Sequence, residues 1–231
     1  MGLDSEFSRR QHDVPFTCFD IETVPMPDCA QFLEFDGIEA PSNYKDEAKI
    51  KAYIEDKKRR KVDEAGLDID LCEVAAIAYE DQDGQGGILL RNLWPEHTML
   101  QKFWAAVEAR PLVGFNIWHF DLPVLLRRSL YLGIKAPAIR IDSYRPDGVA
   151  ILDVGYALSH GRKDLLRSLD FYCKRFGIPH DDTVSGADIS RLVADGDWSN
   201  VSAHAYDDMK AAKALALRIG LVKQRQLVGA L

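Results

Sequence analysis

A short apolar run near the start of the chain places the strongest limit on its fold. Residues 14–21 (VPFTCFDI) are rich in aromatic and β-branched side chains, and two nearby prolines end the run, which is typical of a buried strand. Side chains alternate along a strand, so we expect Asp20 and Glu22 to point to one side while Phe19 and Ile21 pack on the other. The fold must therefore hold two carboxylates on one face of a buried strand.

The segments that follow predict a mixed sheet covered by helices. The predicted strands are 14–21, 71–80, 87–94, 112–117 and 149–154, and the polar loop 81–86 favours an antiparallel hairpin. The predicted helices are 45–65, 97–109, 122–131, 163–176, 188–194 and 201–219. We expect an α/β fold in which a three-strand antiparallel meander is followed by parallel strands, with helices on both faces.

The chain is expected to form a single domain over residues 1–231. This length is enough for one substantial core, and no internal repeat or long linker divides the sequence. A charged helical segment at about 42–66 is predicted as an insertion between the first strand and the hairpin. Its basic run 57–61 is either an ordinary solvated helix face or a surface that follows a phosphate backbone.

The composition indicates the cellular location and the class of the protein. Residues 1–13 are polar, and no later apolar run approaches the ~20 residues of a membrane span, so we expect a cytoplasmic protein with no membrane partner. The four cysteines have no zinc-ligand spacing, which predicts free thiols. A net charge of −7 argues against broad attraction to nucleic acid, although two bound divalent cations would cancel four of these charges.

Two acids far along the chain join the pair on the first strand. Asp121 lies at the start of a predicted helix, and Asp208 lies within the last predicted helix. Hard divalent cations prefer oxygen ligands, and two such ions can supply the chemistry of phosphodiester hydrolysis. Asp20, Glu22, Asp121 and Asp208 are therefore candidate metal ligands. The alternative for Asp121 alone is an N-cap side chain, a role that does not exclude metal binding, and the alternative for Asp208 alone is a solvated helix acid.

These motifs resemble those of the DEDD superfamily of 3′–5′ exonucleases, in particular stand-alone exonucleases similar to the proofreading domain of family B DNA polymerases. The likeness rests on FDIET at 19–23, on VGFN and FDLP within 113–123, and on the terminal helix with Asp208. It implies a ribonuclease-H-like fold, two Mg²⁺ or Mn²⁺ ions, and release of nucleoside 5′-monophosphates from 3′ ends. It places Asp20, Glu22, Asp121 and Asp208 on the four metal-binding positions.

One position departs from the pattern of that superfamily. Its members carry either a tyrosine four residues before the last aspartate or a histidine five residues before it, whereas here His204 lies four before Asp208. Residues four apart share a helix face, so His204 can lie over the metal site. An imidazole ordinarily titrates near pH ~6.5, so a histidine there is a candidate general base toward the attacking water. The alternative is a helix histidine with no chemical role.

The resemblance also indicates substrate contacts. Ile21 and Thr23 are expected to line the pocket for the terminal nucleotide, and Asn116 to lie near the substrate strand. Phe120, with the neighbouring residues 118–119, either stacks on bases or packs in the core. Asp153 either orients a metal ligand or is a simple strand-end acid.

The expected function is removal of nucleotides from the 3′ end of single-stranded DNA. The alternatives are the same reaction on RNA, because sugar recognition depends on details of the pocket, and a silent nucleic-acid-binding or protein-binding module of the same fold. A metal-dependent phosphatase ranks last because the sequence has no glycine-rich phosphate loop. The sequence identifies no protein partner.

Overall fold

The structure, a computed structural model, describes residues 15–108, 110–139, 149–181 and 183–223. The polar segment 1–13 and Ala109 lie outside these ranges. The strands are β1 (Thr17–Pro25), β2 (Cys72–Asp81), β3 (Gly86–Leu90), β4 (Leu112–Gly114) and β5 (Ile151–Asp153). The α-helices are α1 (Glu47–Glu64), α2 (Glu96–Val107), α3 (Asp121–Tyr131), α4 (Val154–Leu158), α5 (Leu169–Phe176), α6 (Ile189–Ala194) and α7 (Trp198–Arg218). Short 3-10 helices are formed by Cys29–Phe32, Ala65–Leu67, Lys163–Leu165 and Gly186–Asp188.

The five strands form one mixed sheet in the order β3-β2-β1-β4-β5. β1 pairs antiparallel with β2, and β2 pairs antiparallel with β3. β4 pairs parallel with β1, and β5 pairs parallel with β4. The predicted fold class is therefore confirmed, with the antiparallel meander on one side of β1 and the parallel strands on the other.

The alternation of side chains along β1 divides the apolar core into two layers. Phe16 and Cys18 belong to the layer that contains Met209 of α7, together with residues of α5 and α6. Phe19 and Ile21 belong to the opposite layer, formed largely with residues of α2 and α3. Each fully buried side chain of this kind contributes about 1.5–3 kcal/mol of transfer free energy, so the register of β1 is strongly fixed. The even-numbered acids of β1 consequently lie on the α7 side.

Several element boundaries differ from the sequence predictions. The segment 163–176 was expected to be one helix, but α5 begins only at Leu169, because the side chain of Ser168 accepts a hydrogen bond from Phe171 N at 3.2 Å and starts a new helix. β4 ends at Gly114, where an added Cβ would lie 2.8 Å from the carbonyl oxygen of Phe19. The chain then turns at Asn116, whose φ is +58°.

Helix α1 lies in the predicted charged insertion and differs from the other long helices. Asp46 caps its N-terminus by accepting from Ala48 N and Lys49 N, yet none of its residues is buried. The insertion is tied to the sheet beyond the helix, where the Thr23 hydroxyl donates to Gly66 O at 2.6 Å. The basic run 57–61 is therefore at the surface, which fits both of its interpretations.

Two expectations drawn from composition concern the described residues directly. All four cysteines are free and buried, as predicted. In the ranges that the structure describes, no helix combines the length and the apolar character needed to cross a membrane.

Candidate active site

Two of the predicted metal ligands lie on the face of β1 that packs against α7. The thiol of Cys18 contacts the carbonyl oxygen of Met209 at 3.5 Å, which fixes where the helix crosses the strand. Asp20 and Glu22 follow Cys18 on the same face, and Asp208 precedes Met209 on the helix. The strand and the helix thus bring three acids together.

Asp121 reaches this group from the other side of β1. It is the first residue of α3, while Phe120 occupies the N-cap position without a side-chain cap hydrogen bond, so the N-cap interpretation of Asp121 is wrong. Instead, Asp121 Oδ1 accepts a hydrogen bond from Ile21 N at 3.3 Å, between the two acids of β1. The carboxylate is 6% exposed. A backbone amide of the strand therefore holds Asp121 at the site.

His204 lies among these acids. Its Nε2 is 3.5 Å from Glu22 Oε1, and its Nδ1 is 3.6 Å from Asp208 Oδ1. The imidazole is almost fully buried, and Nδ1 has no hydrogen-bond partner. A cavity of about 170 Å³ borders His204 and Asp207. The i, i+4 spacing with Asp208 thus places the imidazole between Glu22 and Asp208.

The four acids repel one another. Burial raises the pKa of Asp20 well above its ordinary value, and the charges of Asp121, Glu22 and Asp208 raise it further. Burial and the charges of Asp208 and Asp121 do the same to the pKa of Glu22. Burial is also the main cause that raises the pKa of Asp121 to about 7. Among the described residues, no lysine or arginine forms a salt bridge with any of the four.

This donor set fits divalent cations. All four side chains offer carboxylate oxygens, the ligands that Mg²⁺ and Mn²⁺ prefer, and their mutual repulsion is of the kind that bound cations relieve. The raised pKa values of Asp20, Glu22 and Asp121 mean that these carboxyl groups hold their protons more tightly than exposed acids do, and a nearby positive charge favours the ionised form. The arrangement is therefore suited to hold cations, although the donor atoms themselves stay a prediction.

Asp153 fixes the loop that leads to Asp121. Its Oδ1 accepts from Asn116 N at 2.9 Å and from Tyr156 N at 3.0 Å, and its Oδ2 accepts from Trp118 N at 2.9 Å. Asp153 thereby caps α4 and restrains residues 116–118. The interpretation as a simple strand-end acid is wrong, because its carboxylate organises the approach to the site.

The family of the chain follows from a family model described as "Predicted 3'-5' exonuclease related to the exonuclease domain of PolB", which matches residues 67–225. The chain belongs to this family. The matched range contains Asp121, His204 and Asp208 but not β1. Asp20 and Glu22 are therefore associated with the site by its geometry.

The family B DNA polymerase from the hyperthermophilic archaeon Pyrobaculum calidifontis is similar in structure to this exonuclease-family chain. The TM-score is 0.59 at 16% sequence identity, and the match covers 89% of this chain. It covers 24% of the polymerase chain, so the exonuclease-family chain spans about a quarter of the polymerase. The likeness shows the ribonuclease-H-like fold. A comparison with curated proteins finds no match.

The four residues expected to contact substrate differ in their burial and in their contacts. The side chain of Ile21 is buried in the α2–α3 layer, and the hydroxyl of Thr23 donates to Gly66 O. Asn116 is half-buried in the turn after β4. Phe120 is half-buried and packs against the α2–α3 layer together with Trp118, which favours the packing interpretation of both rings. Contact with substrate stays a prediction for Ile21, Thr23, Asn116 and Phe120.

The sequence analysis missed His180, which follows α5. Its Nε2 is 3.0 Å from Asp208 Oδ1, and its ligand atom and those of Asp207 and Asp208 all lie within 4.8 Å of one another. Asp207 accepts a hydrogen bond from Asp181 N at 2.8 Å and so fastens this loop to α7. No periodic pattern marks a loop histidine whose partner is 28 residues away.

Proposed function

We propose that the protein is a divalent-metal-dependent 3′–5′ exonuclease that releases nucleoside 5′-monophosphates from the 3′ end of single-stranded DNA. The observation that carries this proposal is the convergence of four carboxylates from β1, α3 and α7, with no lysine or arginine among the described residues paired to them. Family membership independently supports exonuclease chemistry.

Asp20, Glu22, Asp121 and Asp208 would hold the two ions, Mg²⁺ or Mn²⁺. When bound, such ions stabilise the charge that develops on the phosphoryl group and on the leaving oxygen. The protein contributes the placement of the ligands. Asp121 is restrained by Ile21 N, and the loop before it is restrained by Asp153, so the site is built on backbone contacts rather than on free side-chain rotation.

His204 would accept a proton from the attacking water. Nε2 is 3.5 Å from Glu22 Oε1 and Nδ1 is 3.6 Å from Asp208 Oδ1, so each ring nitrogen lies beside a proposed metal ligand. General base catalysis by a positioned side chain contributes typically ~10²–10⁴-fold in rate. The buried position of the imidazole supports a chemical role, because a surface helix histidine would be solvated instead.

Substrate recognition would use the surface around the site. Ile21 and Thr23 would border the terminal nucleotide through their strand, Asn116 would approach the substrate strand, and Phe120 would contribute the exposed part of its ring. The overall charge of −7 favours a grip on a chain end over extended contact with a phosphate backbone. Single-stranded 3′ ends are therefore the proposed nucleic-acid partner.

A direct assay tests this function. DNA and RNA oligonucleotides of one sequence, labelled at the 5′ end, are incubated with the protein in Mg²⁺, Mn²⁺ or EDTA. We expect a ladder of 3′-shortened DNA in either metal and intact substrate in EDTA. The variant Asp20→Asn is the matched control for a contaminating nuclease.

Three outcomes contradict parts of the proposal. Shortening of RNA alone would assign an exoribonuclease. Equal shortening in EDTA would contradict the metal requirement. Intact DNA and RNA in every condition, with folded protein, would leave a nucleic-acid-binding or protein-binding module of the same fold.

A further inference from the structure

His180 contacts one of the proposed metal ligands from outside the group of four acids. It lies beyond the C-terminus of α5, where Gly177 adopts a φ of +65° and ends the helix. The side chain is 7% exposed, and Nε2 lies 3.0 Å from Asp208 Oδ1. His204 Nδ1 is 3.6 Å from the same oxygen, too far for a hydrogen bond. His180 is therefore the imidazole that hydrogen-bonds Asp208.

The other side of the His180 ring faces an acid of α5. His180 Nδ1 is 3.8 Å from Asp170 Oδ1, and both atoms are buried without a hydrogen-bond partner. Lys174 Nζ holds the second oxygen of Asp170 at 2.9 Å. Asp170 and Asp208 thus flank the imidazole.

The backbone around His180 is anchored on both sides. Before it, Ile178 N donates to Cys173 O at 2.9 Å and joins the loop to α5. After it, Asp181 N donates to Asp207 Oδ2 at 2.8 Å and joins the loop to α7. The ring therefore occupies a defined position between the two helices.

We propose that His180 is a positioning residue for Asp208 in the proposed exonuclease reaction. Nε2 lies within hydrogen-bond distance of Asp208 Oδ1, at 3.0 Å, and in this role it carries the hydrogen that it donates to the carboxylate. A nitrogen that carries a hydrogen does not ligate a metal. His180 then holds one oxygen of Asp208, restricts rotation of the carboxylate and leaves its other oxygen for a cation. Partners of this kind orient metal ligands, and their loss typically weakens metal binding by roughly 10–100-fold.

This inference rests on the proposed metal site, so its test measures metal binding directly. Mn²⁺ is titrated into metal-free protein, and free Mn²⁺ is followed by its electron paramagnetic resonance signal. His180→Ala is expected to weaken binding by roughly 10–100-fold. His180→Gln carries an amide nitrogen close to the position of Nε2 and should recover most of the affinity. His180→Asn places its amide nearer to Nδ1 and should not. His160→Ala, at an exposed histidine, is the control with unchanged binding.

Melting temperatures of the variants in EDTA separate positioning from folding. Weaker Mn²⁺ binding by His180→Ala at an unchanged metal-free melting temperature supports positioning. Unchanged Mn²⁺ affinity in both His180→Ala and His180→Asn overturns the inference and leaves the proposed function intact. Failure of the unaltered protein to bind Mn²⁺ overturns the proposed function itself. A ¹⁴N coupling in the spin-echo spectrum of bound Mn²⁺ that disappears in His180→Gln would instead make His180 a direct ligand and overturn the positioning role.

Discussion

Buried acids pack against α7 at two places on the sheet, and the acids have different partners at the two places. On β2, Glu80 Oε1 accepts from Lys213 Nζ at 2.6 Å, and Glu80 Oε2 accepts from the Tyr206 hydroxyl at 3.3 Å. Lys210 Nζ is 3.6 Å from the same carboxylate. On β1, the same helix presents only Asp208 and His204 to two acids.

The pKa values follow from this difference. Burial acts to raise the pKa of Glu80, but the hydrogen bond and charge of Lys213 hold it below its ordinary value. Burial raises the pKa of Asp121 to about 7 and that of Asp20 well above its usual range, and neighbouring acids add to the rise. The chain supplies its own cation where an acid serves the fold. At the site, no lysine or arginine of the part of the chain that the structure describes pairs with the acids, and a bound metal ion would supply the missing positive charge.

The largest effect is expected from Asp20→Asn. Loss of one ligand removes several kcal/mol of transition-state stabilisation, so exonuclease activity should fall by at least ~10³-fold. The measurement is the initial rate of DNA shortening in Mg²⁺. Glu80→Gln is the matched control because it neutralises a buried acid under the same helix, and it should retain activity. Loss of activity in both variants would mean that the two clusters are not distinct in function.

A second effect is expected from His204→Ala, which should lower the rate by roughly 10²–10⁴-fold through loss of the base. His204→Tyr should retain part of the activity with its pH optimum displaced to higher pH, because a phenol titrates near ~10. Rates of DNA shortening, measured for each variant over a range of pH, distinguish loss of the base from a displaced pH optimum. An unchanged rate for His204→Ala would leave His204 as a buried helix residue without a chemical role.

The sequence predicts the site where local periodicity is enough. Alternation along β1 places Asp20 and Glu22 together, and helical spacing places His204 with Asp208, because both relations depend on residues a few positions apart. The sequence leaves an N-cap role open for Asp121 because it lies at a helix start. The contact that organises the turn before it comes from Asp153, in a distant segment, and local patterns do not reveal such a contact.

The contacts that the sequence does not reveal are of this second kind. His180 reaches Asp208 from a loop, and Glu80 finds Lys213 across 133 residues. Neither pairing leaves a periodic trace, so residue type alone does not separate a structural acid from a functional one. The family resemblance predicted the site acids, and the structure shows what surrounds them.

A third effect concerns the stability of the metal-free protein. A carboxyl group with a raised pKa binds its proton more tightly in the folded than in the unfolded chain. Ionisation of Asp121 therefore lowers the free energy of unfolding. This effect is absent at pH values below the unfolded pKa of ~4 and complete above about pH 7. Melting temperatures in EDTA should fall from pH 5 to pH 8, and excess Mg²⁺ or Mn²⁺ should raise them again at pH 8.

The variants Asp121→Asn and Glu80→Gln separate this effect from the titration of histidines. Asp121→Asn should flatten the fall in melting temperature between pH 5 and pH 8, whereas Glu80→Gln should keep it. An equal slope in the unaltered protein and Asp121→Asn would show that repulsion at the site does not govern metal-free stability.

The smallest effect is expected at the neutralised cluster. Lys213→Met removes the donor of Glu80 Oε1, while Tyr206 and Lys210 still contact Oε2. A buried acceptor atom that loses its partner costs about 1–3 kcal/mol, which urea unfolding can measure. Glu80→Gln combined with Lys213→Met should recover most of this loss, because no charge is then left unpaired, and both variants should keep exonuclease activity.

At the candidate active site the effect on stability is expected to be the opposite: Asp20→Asn should raise the metal-free melting temperature at pH 8. A loss of metal-free stability in Lys213→Met together with a gain in Asp20→Asn would show that α7 neutralises the acid of β2 and leaves the acids of β1 to a metal. Equal signs would contradict that division.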